Sequence, residues 1–154
     1  MRSLIAHPRP APAKRSLQKV PYVELFNGRL QGVVSSGSSA TRVYVSFIKA
    51  GSGDFYCSTN NNRPCGGLRG GYCKHLSSLV DNALAQFGAE RVGRYLGCAD
   101  LAITSGYQIQ RQLPGTKTKE QASQVFARFL DYLRYVELAP SIEPLPEMAW
   151  FVTG

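Results

Sequence analysis

The sequence predicts a small α+β domain, because segments with strand periodicity and segments with helix periodicity follow one another along the chain. The strand signals come before residue 58, and the two clear helical stripes come after residue 74. A length of 154 residues suffices for one domain with a modest core. Apolar residues make up 44% of the chain, which excludes a wholly disordered protein.

A short antiparallel sheet is predicted from four strand segments, which are 22–26, 29–34, 41–48 and 54–57. The third segment has the strongest signal, since its β-branched and aromatic residues alternate with Val43, Val45 and Phe47 on one face. Asn27 and Gly28 tolerate a positive φ and predict a tight turn between the first two segments. The fourth segment leads into a loop rich in glycine and asparagine, residues 58–72.

Two amphipathic helices are predicted after the sheet. The first begins at His75 and is ended by Gly88, and its apolar residues recur at helical spacing. Residues 90–96 add another helical turn or two, whereas residues 98–117 are predicted to be irregular or weakly extended. The second helix covers residues 118–138 and starts with the spacing of a capping box. We interpret both apolar stripes as core packing.

Three cysteines and a histidine lie within 19 residues, at the spacing C-x7-C-x7-C-x-H. The thiolates of Cys57, Cys65 and Cys73 and the imidazole of His75 make a full tetrahedral ligand set for zinc. The loop between them is polar and rich in glycine, so a metal would supply folding energy that apolar burial cannot. The expected helix start places the third cysteine just before the helix and the histidine in its first turn. The sequence therefore predicts zinc as the cofactor.

Two other interpretations of the cysteines stay open at this stage. Four cysteines in a small basic chain can form disulfides, as in secreted frameworks, although residues 4–6 are too short for the apolar region of a signal peptide. The cysteines can also be ordinary unlinked thiols. Cys98 lies among apolar residues and is expected to be a buried thiol, and it is the reserve ligand if Cys65 does not complete the site.

The segment from about residue 30 to residue 88 resembles the SWIM-type zinc finger. That family carries C-x-C on a β-hairpin, then a variable gap, then C-x-H at the start of a helix. Residues 73–75 match the second half of this pattern, and the strands that lead to Cys57 resemble the hairpin. Thr59 stands where the second cysteine of the C-x-C is usual, so Cys65 takes its place. The resemblance implies a zinc-stabilised ββα-type module that binds DNA or protein, commonly as part of a larger protein.

The net charge of +8 is concentrated in an N-terminal arm, residues 1–21, which has five basic residues and no acid. Its alternate prolines favour extended backbone and argue against an organellar presequence. A second basic region surrounds the cysteines, because no acid occurs between Asp54 and Asp81. Basic segments of this kind attract polyanions, although an arm can equally be a solvated tail that keeps the protein soluble. Tyr56 and Tyr72 are expected to be exposed and to stack on bases.

Signs of catalysis are scarce in the sequence. The one histidine outside the cysteine-rich segment is His7 in the arm, and no phosphate-binding loop, dinucleotide motif or deaminase signature occurs. A zinc ion with four protein ligands has no open position for a substrate. We therefore predict that the protein is not an enzyme and has no small-molecule substrate. No apolar run approaches the roughly 18 residues of a membrane span, so no membrane partner is expected.

The leading prediction is a zinc-binding, non-catalytic interaction module that binds nucleic acid, DNA or RNA. The alternative is a protein–protein adaptor or a subunit of a larger assembly that docks through its arm and its C-terminal tail. An intracellular location is expected, in the cytoplasm, nucleoid or nucleus, with organellar import left open. The residues expected to contact the partner are Arg2, Arg9, Lys14, Arg15 and Lys19 in the arm, Arg63, Arg69 and Lys74 near the cysteines, and Trp150 and Phe151 in the tail.

The predicted organisation has four parts. The basic, proline-rich arm covers residues 1–21, and the SWIM-like zinc-binding domain covers residues 22–97. A linker and an amphipathic helix follow over residues 98–138. Residues 139–154 form a proline-rich tail that ends in large apolar side chains, which must be buried on the body or on a partner.

Overall fold

The computed structural model describes residues 20–36 and 39–138, with the side chains of residues 36, 39–41, 137 and 138 left aside. The predicted tail (139–154) and all but the last two residues of the predicted arm (1–21) lie outside the described residues. Within the described part, no helix has the length and apolar character that crossing a membrane requires.

In the described part of the chain, four strands form one antiparallel meander in the order of the sequence. They are β1 (Tyr22–Phe26), β2 (Arg29–Ser36), β3 (Ser39–Lys49) and β4 (Phe55–Thr59). The turn between β1 and β2 uses positive φ at both central residues, 57° at Asn27 and 74° at Gly28, a conformation that asparagine and glycine tolerate. This sheet and the helices beside it confirm the predicted α+β class.

Within residues 39–138, four helices follow the sheet, which are α1 (Lys74–Phe87), α2 (Ala89–Leu96), α3 (Gly106–Gln112) and α4 (Ser123–Leu138). The first and the fourth were predicted from apolar periodicity, and the second was predicted as another helical turn or two over residues 90–96. The third was not, since residues 98–117 were expected to lack a helix. Gln108 holds its start by accepting a hydrogen bond from the Ser105 backbone N–H at 3.1 Å, as in a capping box.

The last helix begins at Ser123, five residues after the predicted start. Residues 116–118 run beside the edge of β4 instead, because Phe55 accepts a hydrogen bond from the Thr118 N–H at 2.9 Å and donates its own N–H to the Thr116 carbonyl at 3.1 Å. Thr118 therefore hydrogen-bonds to the edge of the sheet and does not cap a helix. Glu120 fixes the same segment by ion pairs with Arg29 and Lys49.

The sheet is covered by a helix on each face. Tyr22 and Val45 lie on the face that packs against α4, where the Tyr22 ring is 5.8 Å from the Phe129 ring. Val34 lies on the opposite face, which packs against α1. Leu79 of α1 sits so close to β2 on this face that a Cβ at Gly32 would be 2.8 Å from its Cδ1. The strand alternation thus divides the core into two layers.

Candidate metal centre

The four predicted ligands come from three successive parts of the chain and meet on the α1 face of the sheet. Cys57 lies in β4, and Cys65 lies in the following loop, where its backbone N–H donates to the Cys57 carbonyl at 3.0 Å. Cys73 is the residue before α1, and His75 is in the first turn of that helix, as the sequence predicted. The sulfur atoms and an imidazole nitrogen of these residues all lie within 4.8 Å of one another. This Cys3His cluster can hold a metal ion.

The imidazole Nδ1 of His75 faces all three sulfur atoms. It is 3.7 Å from the Cys57 Sγ, 3.4 Å from the Cys65 Sγ and 3.9 Å from the Cys73 Sγ. All four side chains are buried, from 0% exposed at Cys57 to 8% at Cys65. The donors therefore converge on one point that solvent scarcely reaches.

Neighbouring groups hold the ligands in place. The Ser46 hydroxyl donates to the Cys57 Sγ at 3.4 Å, and the Gly67 backbone N–H donates to the Cys65 Sγ at 3.4 Å. Such contacts orient metal ligands and stabilise thiolate charge. Ser46 comes from β3, so the sheet itself supports the cluster.

Proton sharing among the thiols favours one thiolate before any metal binds. The pKa of Cys73 is lowered to about 4, chiefly by a hydrogen bond from the Cys57 thiol and also by His75 and the Leu76 backbone N–H, against the effect of burial. The pKa of Cys57 is raised, by the same hydrogen bond and by burial. Burial also raises the pKa of Cys65. These shifts favour the thiolate form at Cys73, at the N-terminus of α1.

The loop from 58 to 72 is less polar in its packing than its composition suggests. Leu68 is buried in the main core together with Cys65. Gly67 passes so close to the cluster that a Cβ there would lie 3.2 Å from the Cβ of Cys73. The loop is therefore held partly by apolar contacts and by close backbone packing, in addition to its ligands.

Two tyrosines that were expected to be exposed are not, since one is buried and the other is half-buried. Tyr56 is only 4% exposed, because its position in β4 turns it away from the cluster and into the sheet packing. Tyr72 is half-buried, and its ring meets the Phe55 ring edge-on at 5.1 Å. Neither ring is free to serve as the predicted stacking surface.

The remaining cysteine does not join the cluster. Cys98 is buried after α2, where its backbone N–H donates to the Gly93 carbonyl at 2.8 Å. Cys65, and not the reserve ligand Cys98, lies with the other three donors. All four cysteines lie in the described part of the chain and all four are free thiols, so the disulfide interpretation has no support there.

The three basic residues predicted near the cysteines are all exposed. Arg69 donates through its Nε to the Gly66 carbonyl at 3.3 Å. Arg63 and Lys74 form no side-chain ion pair with any described residue. The other predicted contacts lie outside the described residues; they are Arg2, Arg9, Lys14, Arg15, Lys19, Trp150 and Phe151.

Two site residues were missed by the sequence reasoning, Tyr44 and Ser46. The alternation along β3 had placed them together on the face opposite Val45, which is correct. The alternation along β3 does not reveal that Cys57 and His75 lie on the same face of the sheet as Tyr44 and Ser46. The pairing of Ser46 with Cys57 across β3 and β4 makes the connection.

Comparison with protein families finds no matching family, and comparisons with curated proteins and with solved structures find no match either. The resemblance to the SWIM-type finger therefore rests on the residues quoted for it, above all the C-x-H of residues 73–75.

Proposed function

We propose that this protein is a zinc-binding interaction module without catalytic activity, and that its partner is nucleic acid. The observation that carries the proposal is the convergence of three buried cysteine sulfurs and the His75 Nδ1 on one point. A closed set of four soft and borderline donors has few uses in a protein other than holding a metal.

The three nitrogen–sulfur distances fit zinc. In a tetrahedral site with a Zn–S bond of about 2.3 Å and a Zn–N bond of about 2.05 Å, the nitrogen and each sulfur are about 3.6 Å apart. The three observed nitrogen–sulfur distances run from 3.4 to 3.9 Å. Thiolate ligands exclude magnesium and calcium, which prefer oxygen. Zinc is the divalent ion that this donor set suits best.

The same donor set argues against catalysis. Four protein ligands complete a tetrahedron and leave no position for water or substrate. The cluster is also buried, so a substrate would have no route to the metal. A zinc ion here would fix the loop between β4 and α1 to the sheet, and the loop would present its basic residues in a defined arrangement.

The charge around the cluster supports nucleic acid as the partner. Arg63, Arg69 and Lys74 are exposed on the segment that the metal would fix, and the whole chain has a net charge of +8. Positive groups on a rigid loop neutralise phosphates and gain free energy from counterion release. The basic arm would add a second, less specific contribution of the same kind.

A protein partner is the second candidate, favoured by one feature of α4. Leu130 and Leu133 lie one turn apart on the apolar stripe of this helix, which was expected to pack in the core. Their side chains are nevertheless 46% and 37% exposed. Exposed apolar side chains of this kind can serve as an interaction surface. An adaptor would use this helix face and not the basic loop.

An affinity purification of the tagged full-length protein from its own cells, with and without nuclease, separates the two candidates. We expect the recovered protein to contain one zinc per chain by elemental analysis, and its co-purifying partners to disappear after nuclease treatment. If a protein partner is recovered in stoichiometric amount after nuclease treatment, the adaptor role is supported and nucleic-acid binding is refuted. Protein prepared without chelator and free of zinc would refute the metal assignment.

A further inference from the structure

A polar groove adjoins the Cys3His cluster on the same face of the sheet. Its walls are Arg42 and Tyr44 of β3 on one side, and the turn that follows β4 on the other. Side chains alternate along a strand, so Arg42 and Tyr44 continue the row in which Ser46 touches the cluster. The cavity has a volume of about 430 Å³, within the range of about 300–1,000 Å³ that small-molecule sites occupy.

The turn after β4 is rigidly held. The Thr59 hydroxyl accepts hydrogen bonds from the backbone N–H groups of Asn61 at 3.3 Å and Arg63 at 3.1 Å. Asn62 has a φ of 67°, and its side-chain Oδ1 accepts a hydrogen bond from the Ala122 N–H at 2.7 Å just before α4. Two side chains of the turn are thus committed to shaping it, which fixes the positions of the others.

The remaining polar side chains around the groove have no protein partner within the described residues. Arg42, Asn60, Asn61 and Arg63 all line it, and none of them makes a side-chain hydrogen bond or ion pair there. None of the described residues that line the groove is acidic. Two unpaired guanidinium groups can donate hydrogen bonds to a phosphate. The two amides beside them can bind an adjoining chemical group that has both hydrogen-bond donors and acceptors.

The groove is also in direct contact with the Cys3His cluster. The Tyr44 ring, which lines the groove, stacks on the ring of the ligand His75 with their centroids 3.9 Å apart. At the other side, Arg63 is two residues before the ligand Cys65. Metal binding would therefore fix both walls of the groove at once.

We propose that this groove binds one nucleotide unit of a single-stranded nucleic acid, with Arg42 and Arg63 on the phosphate and the amides of Asn60 and Asn61 on the base edge. The inference rests on the proposed nucleic-acid function and locates its specific contact. A recessed site favours a single strand, because its bases can turn out of the stack, whereas the bases of a duplex are reached by elements that protrude into its grooves. The basic arm supplies sequence-independent attraction in addition.

The test uses zinc-loaded full-length protein and fluorescein-labelled oligothymidylate, oligouridylate and a mixed-sequence duplex, titrated by fluorescence anisotropy at several salt concentrations. The variant is the double substitution Arg42→Gln and Arg63→Gln. Its matched control is Arg91→Gln and Arg134→Gln, which removes the same charge from exposed positions on α2 and α4 that do not line the groove. Zinc content and thermal unfolding of both variants should equal those of the wild type, since all four side chains are exposed.

We expect the groove variant to bind single strands at least tenfold more weakly than the control. The log–log slope of its salt dependence should be smaller by about 0.7, because the two arginines together neutralise one phosphate. Duplex binding should differ little between the two variants. Equal single-strand binding by the groove and control variants would overturn the assignment of the groove as the binding site, but it would leave the proposed nucleic-acid function in place. Wild-type protein that binds none of the three probes would overturn both the groove site and the nucleic-acid function.

Discussion

The Tyr44 ring lies flat against the His75 imidazole, with their centroids 3.9 Å apart and their planes inclined by only 16°. Tyr44 belongs to β3 and His75 to the first turn of α1, so the stack joins the sheet to the helix at the Cys3His cluster. It also sets the plane of the imidazole, and with it the direction in which Nδ1 points toward the three sulfurs. A residue outside the ligand set therefore governs the geometry within it.

Replacing Tyr44 should weaken zinc binding without removing a ligand. We expect Tyr44→Leu to lower zinc affinity about tenfold, because the imidazole loses the surface that fixes its orientation. Tyr44→Phe keeps the stacked ring and should bind zinc as the wild type does. Competition with a chromophoric chelator measures both affinities. Tyr107→Leu, at a tyrosine that is 66% exposed, is the control for a general loss of aromatic area. Equal affinities for the leucine and phenylalanine variants at position 44 would show that the stack is incidental.

Two buried cysteines allow the ligand assignment to be tested with the same chemical change. Cys73→Ser should abolish stoichiometric zinc binding and lower the free energy of unfolding by about 3 kcal/mol or more, since the loop between β4 and α1 loses its anchor. Cys98→Ser makes the same substitution at a buried cysteine outside the cluster and should keep one zinc per chain. Elemental analysis and chemical denaturation provide the two measurements. Loss of zinc from the Cys98 variant would contradict the assignment.

The cluster could be predicted from sequence because its ligands are close along the chain and lie at recognisable ends of elements. Cys73 and His75 flank the start of an amphipathic helix, and the helix periodicity alone fixes where that start is. Cys57 lies in a strand whose pairing with β3 follows from a short turn. Local signals thus determined most of the site.

The errors arose where distant parts of the chain override local preference. Thr118 has the sequence of a helix start, yet its N–H pairs with Phe55 of β4, so α4 begins later. The helix α3 has Ile109 as its one fully buried large side chain, which is too little apolar periodicity to detect. Tyr56 was misplaced because its burial depends on what covers that face of the sheet, and nothing in β4 itself encodes this.

Two adjacent glycines in the loop should respond differently to alanine. A Cβ at Gly67 would lie 3.2 Å from the Cys73 Cβ and 3.7 Å from the Cys65 Sγ, whereas a Cβ at Gly66 would have no neighbour within 4 Å. We expect Gly67→Ala to lower zinc affinity severalfold, because Cys73 must shift by a few tenths of an ångström to make room. Gly66→Ala should leave the affinity unchanged. The chelator competition used for Tyr44 resolves the difference, and a Gly66 variant weaker than the Gly67 variant would contradict the packing of the loop.

The attachment of α4 to the sheet depends on a buried carboxylate. Glu24 of β1 is 2% exposed and accepts hydrogen bonds from Gln31 at 2.7 Å and from both Nε and a terminal nitrogen of Arg128, at 2.7 and 2.8 Å. Arg128 also covers the Phe26 ring at 3.5 Å.

Arg128→Leu would leave the Glu24 charge buried with Gln31 as its one remaining partner among these groups, and we expect a loss of about 2 kcal/mol in the free energy of unfolding. Arg134→Leu changes an exposed arginine of the same helix and should cost less than about 0.5 kcal/mol. Urea denaturation of the zinc-loaded protein measures both, and zinc content should be the same in the two variants, because α4 covers the face of the sheet opposite the cluster. A destabilisation of equal size in both variants would show that the ion pair is not what holds this helix.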